Sequence, residues 1–132
     1  MTSPKARYRP SGDAIGLIEA ARGGALAFAR LVADDRVHLE TANGRLLARP
    51  AAALAGLIEV RGIGLMRLAY EPCAVVGLVV DLAAADAPRL PEATQRKVEI
   101  DGINLPRLAV ATGEAVLPAV LALINSEPDS WI

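Results

Sequence analysis

Leu31-Val32-Ala33-Asp34-Asp35 and Leu57-Ile58-Glu59-Val60-Arg61-Gly62-Ile63-Gly64 are two apolar segments that end in charge or carry it inside them. Each reads as a strand. Buried charge is costly unless it is paired or bound to a metal, so the acids at 34, 35 and 59 and the base at 61 mark a candidate site. On residue types alone, Asp34-Asp35 also fits a turn. Glu59 and Arg61, two apart on one strand face, also fit a surface ion pair. Gly62 and Gly64 fit a bulge, a close backbone approach or a plain strand break.

Outward from these stretches, the pattern predicts short elements. Residues 13–22 form a helix, with Asp13 as N-cap and Gly23-Gly24 as the stop. Residues 25–33 read as a buried strand. Residues 36–41 alternate apolar with polar, the period of a half-buried strand. Asn43-Gly44 and Asp101-Gly102 are hairpin turn signals. Pro50 opens one or two helical turns. Residues 75–82 are the most continuous apolar run, suited to mid-sheet. Residues 83–91 are a loop. Residues 114–124 form a second helix, with Glu114 at its positive end and Pro118 near its first turn. The sum is an α/β class chain, mixed α+β layers around one core. Residues 1–12 read as a flexible arm and 13–132 as a single domain.

Composition narrows the function. The chain has 132 residues, 53% hydrophobic and 22% charged, which suits one globular domain. Aromatics are only 3%, which leaves few stacking platforms for single-stranded nucleic acid. The net charge of −1 gives no bulk attraction to a polyanion. One Cys and one His weaken disulfide, zinc and triad chemistry. Cys73, beside Pro72, reads as a packing residue, and His38 as a solvent-facing one. No apolar run approaches the roughly 20 residues of a membrane span, and residues 1–10 lack a signal-peptide core. The expectation is a cytoplasmic protein with neither nucleic-acid nor membrane partners.

The Leu-Val-Ala-Asp-Asp stretch followed by Leu54-Ala55-Gly56-Leu57-Ile58-Glu59-Val60-Arg61-Gly62-Ile63-Gly64 resembles the catalytic domain of bacterial HPr kinase/phosphorylases, in their short single-domain form. The resemblance continues through Val79-Val80-Asp81-Leu82 and Gly102-Ile103-Asn104-Leu105-Pro106. It implies a P-loop domain that uses ATP and Mg²⁺ to phosphorylate a serine of HPr, the phosphotransferase-system carrier, and that reverses the reaction. It assigns Asp35, with Asp34, as catalytic carboxylates and Glu59 as a magnesium ligand. Arg61, Gly62 and Gly64 fall in the signature stretch. It also implies homo-oligomers. A serine hydroxyl needs a carboxylate to take its proton, and the moving phosphoryl needs a cation clamp.

The phosphate loop departs from the family. A G-x-x-x-x-G-K-[ST] loop cradles phosphates on backbone N–H groups and adds a Lys. Counting back from Asp35 places it on Ser11-Gly12-Asp13-Ala14-Ile15-Gly16-Leu17-Ile18, with Leu17 at the Lys position and Ile18 at the hydroxyl position. Anchoring on Pro10-Ser11-Gly12 instead deletes the Gly-Lys-Ser. Gly12 and Gly16 remain as weak phosphate-binding candidates. The ten residues before Ser11 are not an apolar strand, and no histidine precedes the loop. The expectation is an HPr kinase-like domain truncated at its N-terminal strand and phosphate loop. It would be a degenerate, pseudokinase-like form with an impaired nucleotide site and a regulatory role through an HPr-like partner. The alternatives are an active serine kinase whose clamp comes from Arg7, Arg9 or a neighbouring subunit, and a structural oligomerising domain.

Overall fold

The computed structural model describes residues 11–82, 84–111 and 113–126. Among the described residues two helices, α1 (Ser11–Arg22) and α2 (Val116–Asn125), accompany eight short strands. These are β1 (Val37–Ala42), β2 (Arg45–Pro50), β3 (Leu57–Val60), β4 (Gly64–Arg67), β5 (Ala74–Val75), β6 (Val79–Leu82), β7 (Lys97–Ile100) and β8 (Ile103–Val110). They make three small sheets, ordered β1-β2-β5, β3-β4 and β6-β8-β7. The mixed α+β expectation holds at this level.

The hairpins follow their turn residues. Asn43 and Gly44 (φ 53° and 74°), like Asp101 and Gly102 (φ 49° and 80°), take the two positive φ values of the turn that matches strand twist. Helix α1 stops where Gly24 enters the left-handed region. There Ala25 N–H reaches back to the Ala20 carbonyl (2.8 Å) and Gly24 N–H to that of Ala21 (3.2 Å). Its start differs from expectation. Ser11 and Gly12 are already helical, so Asp13 lies inside the first turn and is not the N-cap. An acid there still meets the positive helix end, although desolvation raises its pKa. Pro118 is the third residue of α2, where an N–H has no helical acceptor.

Two expected strands are corrected. Residues 25–33 are irregular, with one parallel bridge from Leu31 to Tyr70. The 75–82 run is divided. Ala74–Val75 pairs with β2, while Val79–Leu82 lies parallel to β8 at a sheet edge. The central strand is β8. Its residues 103–106 pair with β7 and 107–110 with β6, so Pro106 sits at the end of one ladder. Cys73 is exposed and does not pack.

The core has two foci. Leu46 and Ile58 are the fully buried large side chains among the described residues. Val110, Val116 and Val120 form a second cluster against which Leu17, Val80, Leu82 and Leu108 pack. Gly56 joins the 3₁₀ turn Ala52–Leu54 to β3 with φ +77°. A Cβ there would come 3.0 Å from both the Leu68 carbonyl oxygen and a Tyr70 ring carbon. A Gly56→Ala change is therefore expected to lower stability by about 2 kcal/mol, read as a lower urea midpoint at unchanged slope.

Candidate functional site

The Asp pair and the β3-β4 hairpin do come together. Asp34 Oδ2 accepts the backbone N–H of Glu59 at 2.9 Å. Residues 30–31 are tied down as well. Glu71 N–H donates to the Leu31 carbonyl (2.8 Å), and the Arg30 guanidinium meets the Glu71 carboxylate at 3.0 Å. The short apolar segment is thus held to residues 70–71 by a bridge, a backbone bond and an ion pair, and to β3 by the Asp34 carboxylate, without forming a strand. Asp34 is half-buried, whereas Asp35 and Glu59 are exposed.

Alternation along the hairpin explains which groups face out. Ile58 and Met66 are cross-strand partners, and Ile58 is wholly buried. Glu59 therefore turns to the opposite face beside Leu65, and Leu57 beside Arg67. Arg61 does not share the strand with Glu59, because β3 ends at Val60 and Arg61 lies exposed in the turn. Ile63 N–H closes that turn onto the Val60 carbonyl at 3.0 Å. Gly62 (φ +84°) and Gly64 (φ +107°) shape it, and neither is approached closely by another group. Their backbone conformation is what an L side chain resists. The hairpin tip presents Ile63 and Leu65, each 71% exposed, between Arg61 and Arg67.

The expected phosphate loop is helical. Gly12 and Gly16 both lie in α1. Gly16 marks the crossing with α2: a Cβ there would meet Leu117 Cδ2 at 3.4 Å. Leu17, at the Lys position, packs against the Val110-Val116-Val120 cluster. Residues 1–10, with the alternative cations Arg7 and Arg9, lie outside the described residues. Among the described residues no three His, Cys, Asp or Glu side chains are grouped to hold a metal ion. No helix among them is long and apolar enough to cross a membrane.

A further charged cluster escaped the sequence reading. Arg107 of β8, 11% exposed, gives Nη2 to Asp81 Oδ2 and to Asp86 Oδ1, both at 2.7 Å. Nη1 reaches Asp86 Oδ2 (3.1 Å) and the Gln95 carbonyl (3.0 Å), and Nε reaches Asp81 Oδ2 (3.2 Å). Hydrogen bonding from Arg107 holds the Asp86 carboxyl below its usual range, and the same bonds raise the guanidinium pKa. The signal was present: Asp81 and Arg107 are charges inside apolar strands, the criterion that singled out Asp34 and Glu59.

This order of two helices and three small sheets is an HPr kinase-like fold. Among solved structures the chain is similar to the HPr(Ser) kinase/phosphatase from Coxiella burnetii, with a TM-score of 0.67 and 24% sequence identity. The match covers 87% of this chain and 73% of that one. No family model and no curated protein sequence matches the chain.

Proposed function

We propose that this chain is an HPr kinase-like domain that recognises a phosphocarrier-type protein without transferring phosphoryl groups. One observation carries the reading: the segment where a phosphate loop would lie is a packed helix, with Leu17 turned to the core. Beyond its first turn a helix spends its N–H groups on its own carbonyls, so those of residues 15–18 are not free to cradle phosphates, and the apolar Leu17 supplies no cation. Of the acids, Asp34 accepts the Glu59 backbone N–H, while Asp35 and Glu59 are exposed. Phosphoryl transfer is mostly positioning and charge stabilisation, so losing these parts removes orders of magnitude in rate.

The test is calorimetric titration with MgATP, repeated with pyrophosphate. No saturable heat at millimolar nucleotide is the expected result. Micromolar binding would replace this reading with that of an active kinase whose clamp comes from elsewhere. Leu17→Lys is expected to lower stability by about 2 kcal/mol, through lost packing and a buried cation, and to leave nucleotide binding absent.

The same reading assigns recognition to the hairpin tip. Ile63 and Leu65 offer apolar area, and Arg61 and Arg67 offer a basic rim, which suits an apolar patch edged by acids. An Ile63→Asp/Leu65→Asp double variant is expected to weaken binding of an HPr-like carrier by about 100-fold, through lost apolar anchors and added like charge. Stability should stay within about 0.5 kcal/mol, since both side chains are exposed. Unchanged affinity in surface plasmon resonance would move recognition away from the hairpin.

A further inference from the structure

We propose that the cavity between residues 87–89, the end of β8 and the start of α2 binds a small zwitterion of amino-acid type. Its volume is about 470 Å³, inside the range of roughly 300–1,000 Å³ common to small-molecule sites. Arg89 and Glu114 both line it. They do not pair with each other, and among the described residues neither carries an ion pair or side-chain hydrogen bond. The rest of the lining is apolar: Leu108 to Ala111 from β8 and its end, and Ala115 and Ala119 from the start of α2. An unpaired cation and an unpaired anion in one apolar lining match a ligand with a carboxylate at one end, an ammonium at the other and a hydrocarbon link. The guanidinium takes the carboxylate by charge-assisted hydrogen bonds, and the Glu114 carboxylate takes the ammonium.

The Arg107 cluster makes this wall firm. Asp86 immediately precedes the lining residues 87–89 and is held by two hydrogen bonds from the largely buried Arg107, which also binds the Gln95 carbonyl further along the same loop. The loop that carries Arg89 is thereby fixed to β8 at both ends. A preorganised wall avoids the ordering cost that a free loop would add to binding. This site is separate from the β3-β4 hairpin, and its test involves no nucleotide and no protein partner.

The experiment titrates the full chain with glycine, β-alanine, 4-aminobutyrate and 6-aminohexanoate, whose charges lie progressively further apart, using calorimetry and thermal shift. One member of the series is expected to bind in preference to the others. Arg89→Gln and Glu114→Gln should each weaken that ligand by about tenfold or more, while the N-acetyl and amide derivatives fail to bind. Both side chains are exposed, so the variants should keep the wild-type melting temperature without ligand. The inference is overturned if no member binds at millimolar concentration, or if both variants bind as the wild type does. It is equally overturned if inorganic phosphate alone binds and Glu114→Gln tightens it, since that describes an anion site.

Discussion

Replacing Ile58 with alanine is expected to lower the stability of the domain by about 4 kcal/mol. Ile58 is the one described side chain with no exposure at all. It lies in β3 directly across from Met66, and α1 packs on the same strand. Truncation removes three carbons from a place with no solvent to fill it. The loss therefore combines transfer free energy with the cost of a cavity that a short two-stranded hairpin cannot readily collapse. For a domain whose total stability is of order 5–15 kcal/mol, such a change is a large part of the whole. Urea denaturation followed by circular dichroism reads it directly. The same variant reports on the candidate site, because Glu59 N–H is one residue away and is held by Asp34. Loosening β3 should also lower hydrogen-exchange protection at Glu59. A shift below 1 kcal/mol would show that the hairpin relaxes freely and that Ile58 does not anchor it.

The legible parts of this fold were those written in local chemistry. Asn43-Gly44 and Asp101-Gly102 fix both central φ values of a two-residue turn, and each hairpin followed with matching register. The paired glycines after residue 22 end α1 for an equally local reason. The illegible parts depended on partners distant in sequence. Residues 25–33 are apolar enough for a strand, but only Leu31 finds a bridging residue, Tyr70, so the run stays irregular. The 75–82 run was one strand by composition and two by pairing, since β2 and β8 each took one end.

At the candidate site, the proximity of Asp34 to Glu59 was legible through the family resemblance. The form of the contact was not. Asp34 meets the backbone of Glu59, and no side-chain pattern encodes a bond to an N–H. A spacing of two places Arg61 on the strand with Glu59, but β3 ends at Val60 and Arg61 lies in the turn that Ile63 N–H closes onto the Val60 carbonyl. Gly12 and Gly16 carried the composition of a phosphate loop, yet the surrounding Ala, Ile and Leu are helix formers, and Gly16 is used for close helix approach.

Arg107→Ala is expected to lower stability by about 1–2 kcal/mol, less than the loss of a fully buried pair, because the Asp86 carboxylate is exposed and screened by water. The Arg107 side chain is 11% exposed, and its guanidinium makes five hydrogen bonds across three segments: to Asp81 on β6, to Asp86 in the loop and to the Gln95 carbonyl before β7. Alanine leaves Asp81 without that partner and releases the loop. Arg107→Lys keeps the charge but not the fork, so it should recover only part of the loss. The effect has a pH signature that a packing role lacks. The Asp86 carboxyl is held below its ordinary 3.8 chiefly by its hydrogen bond from Arg107. A carboxyl depressed in the folded state contributes stability above its unfolded pKa and loses it as pH falls through the folded value. The wild type should therefore lose this contribution below about pH 4, whereas Arg107→Ala has already lost it. The stability gap between the two proteins should be constant from pH 7 to about pH 5 and narrow as the pH falls further. Urea midpoints measured across that range decide the matter. A gap that stays constant down to pH 2 would mean that Arg107 acts through its aliphatic stem and packing, with the carboxylates contributing nothing.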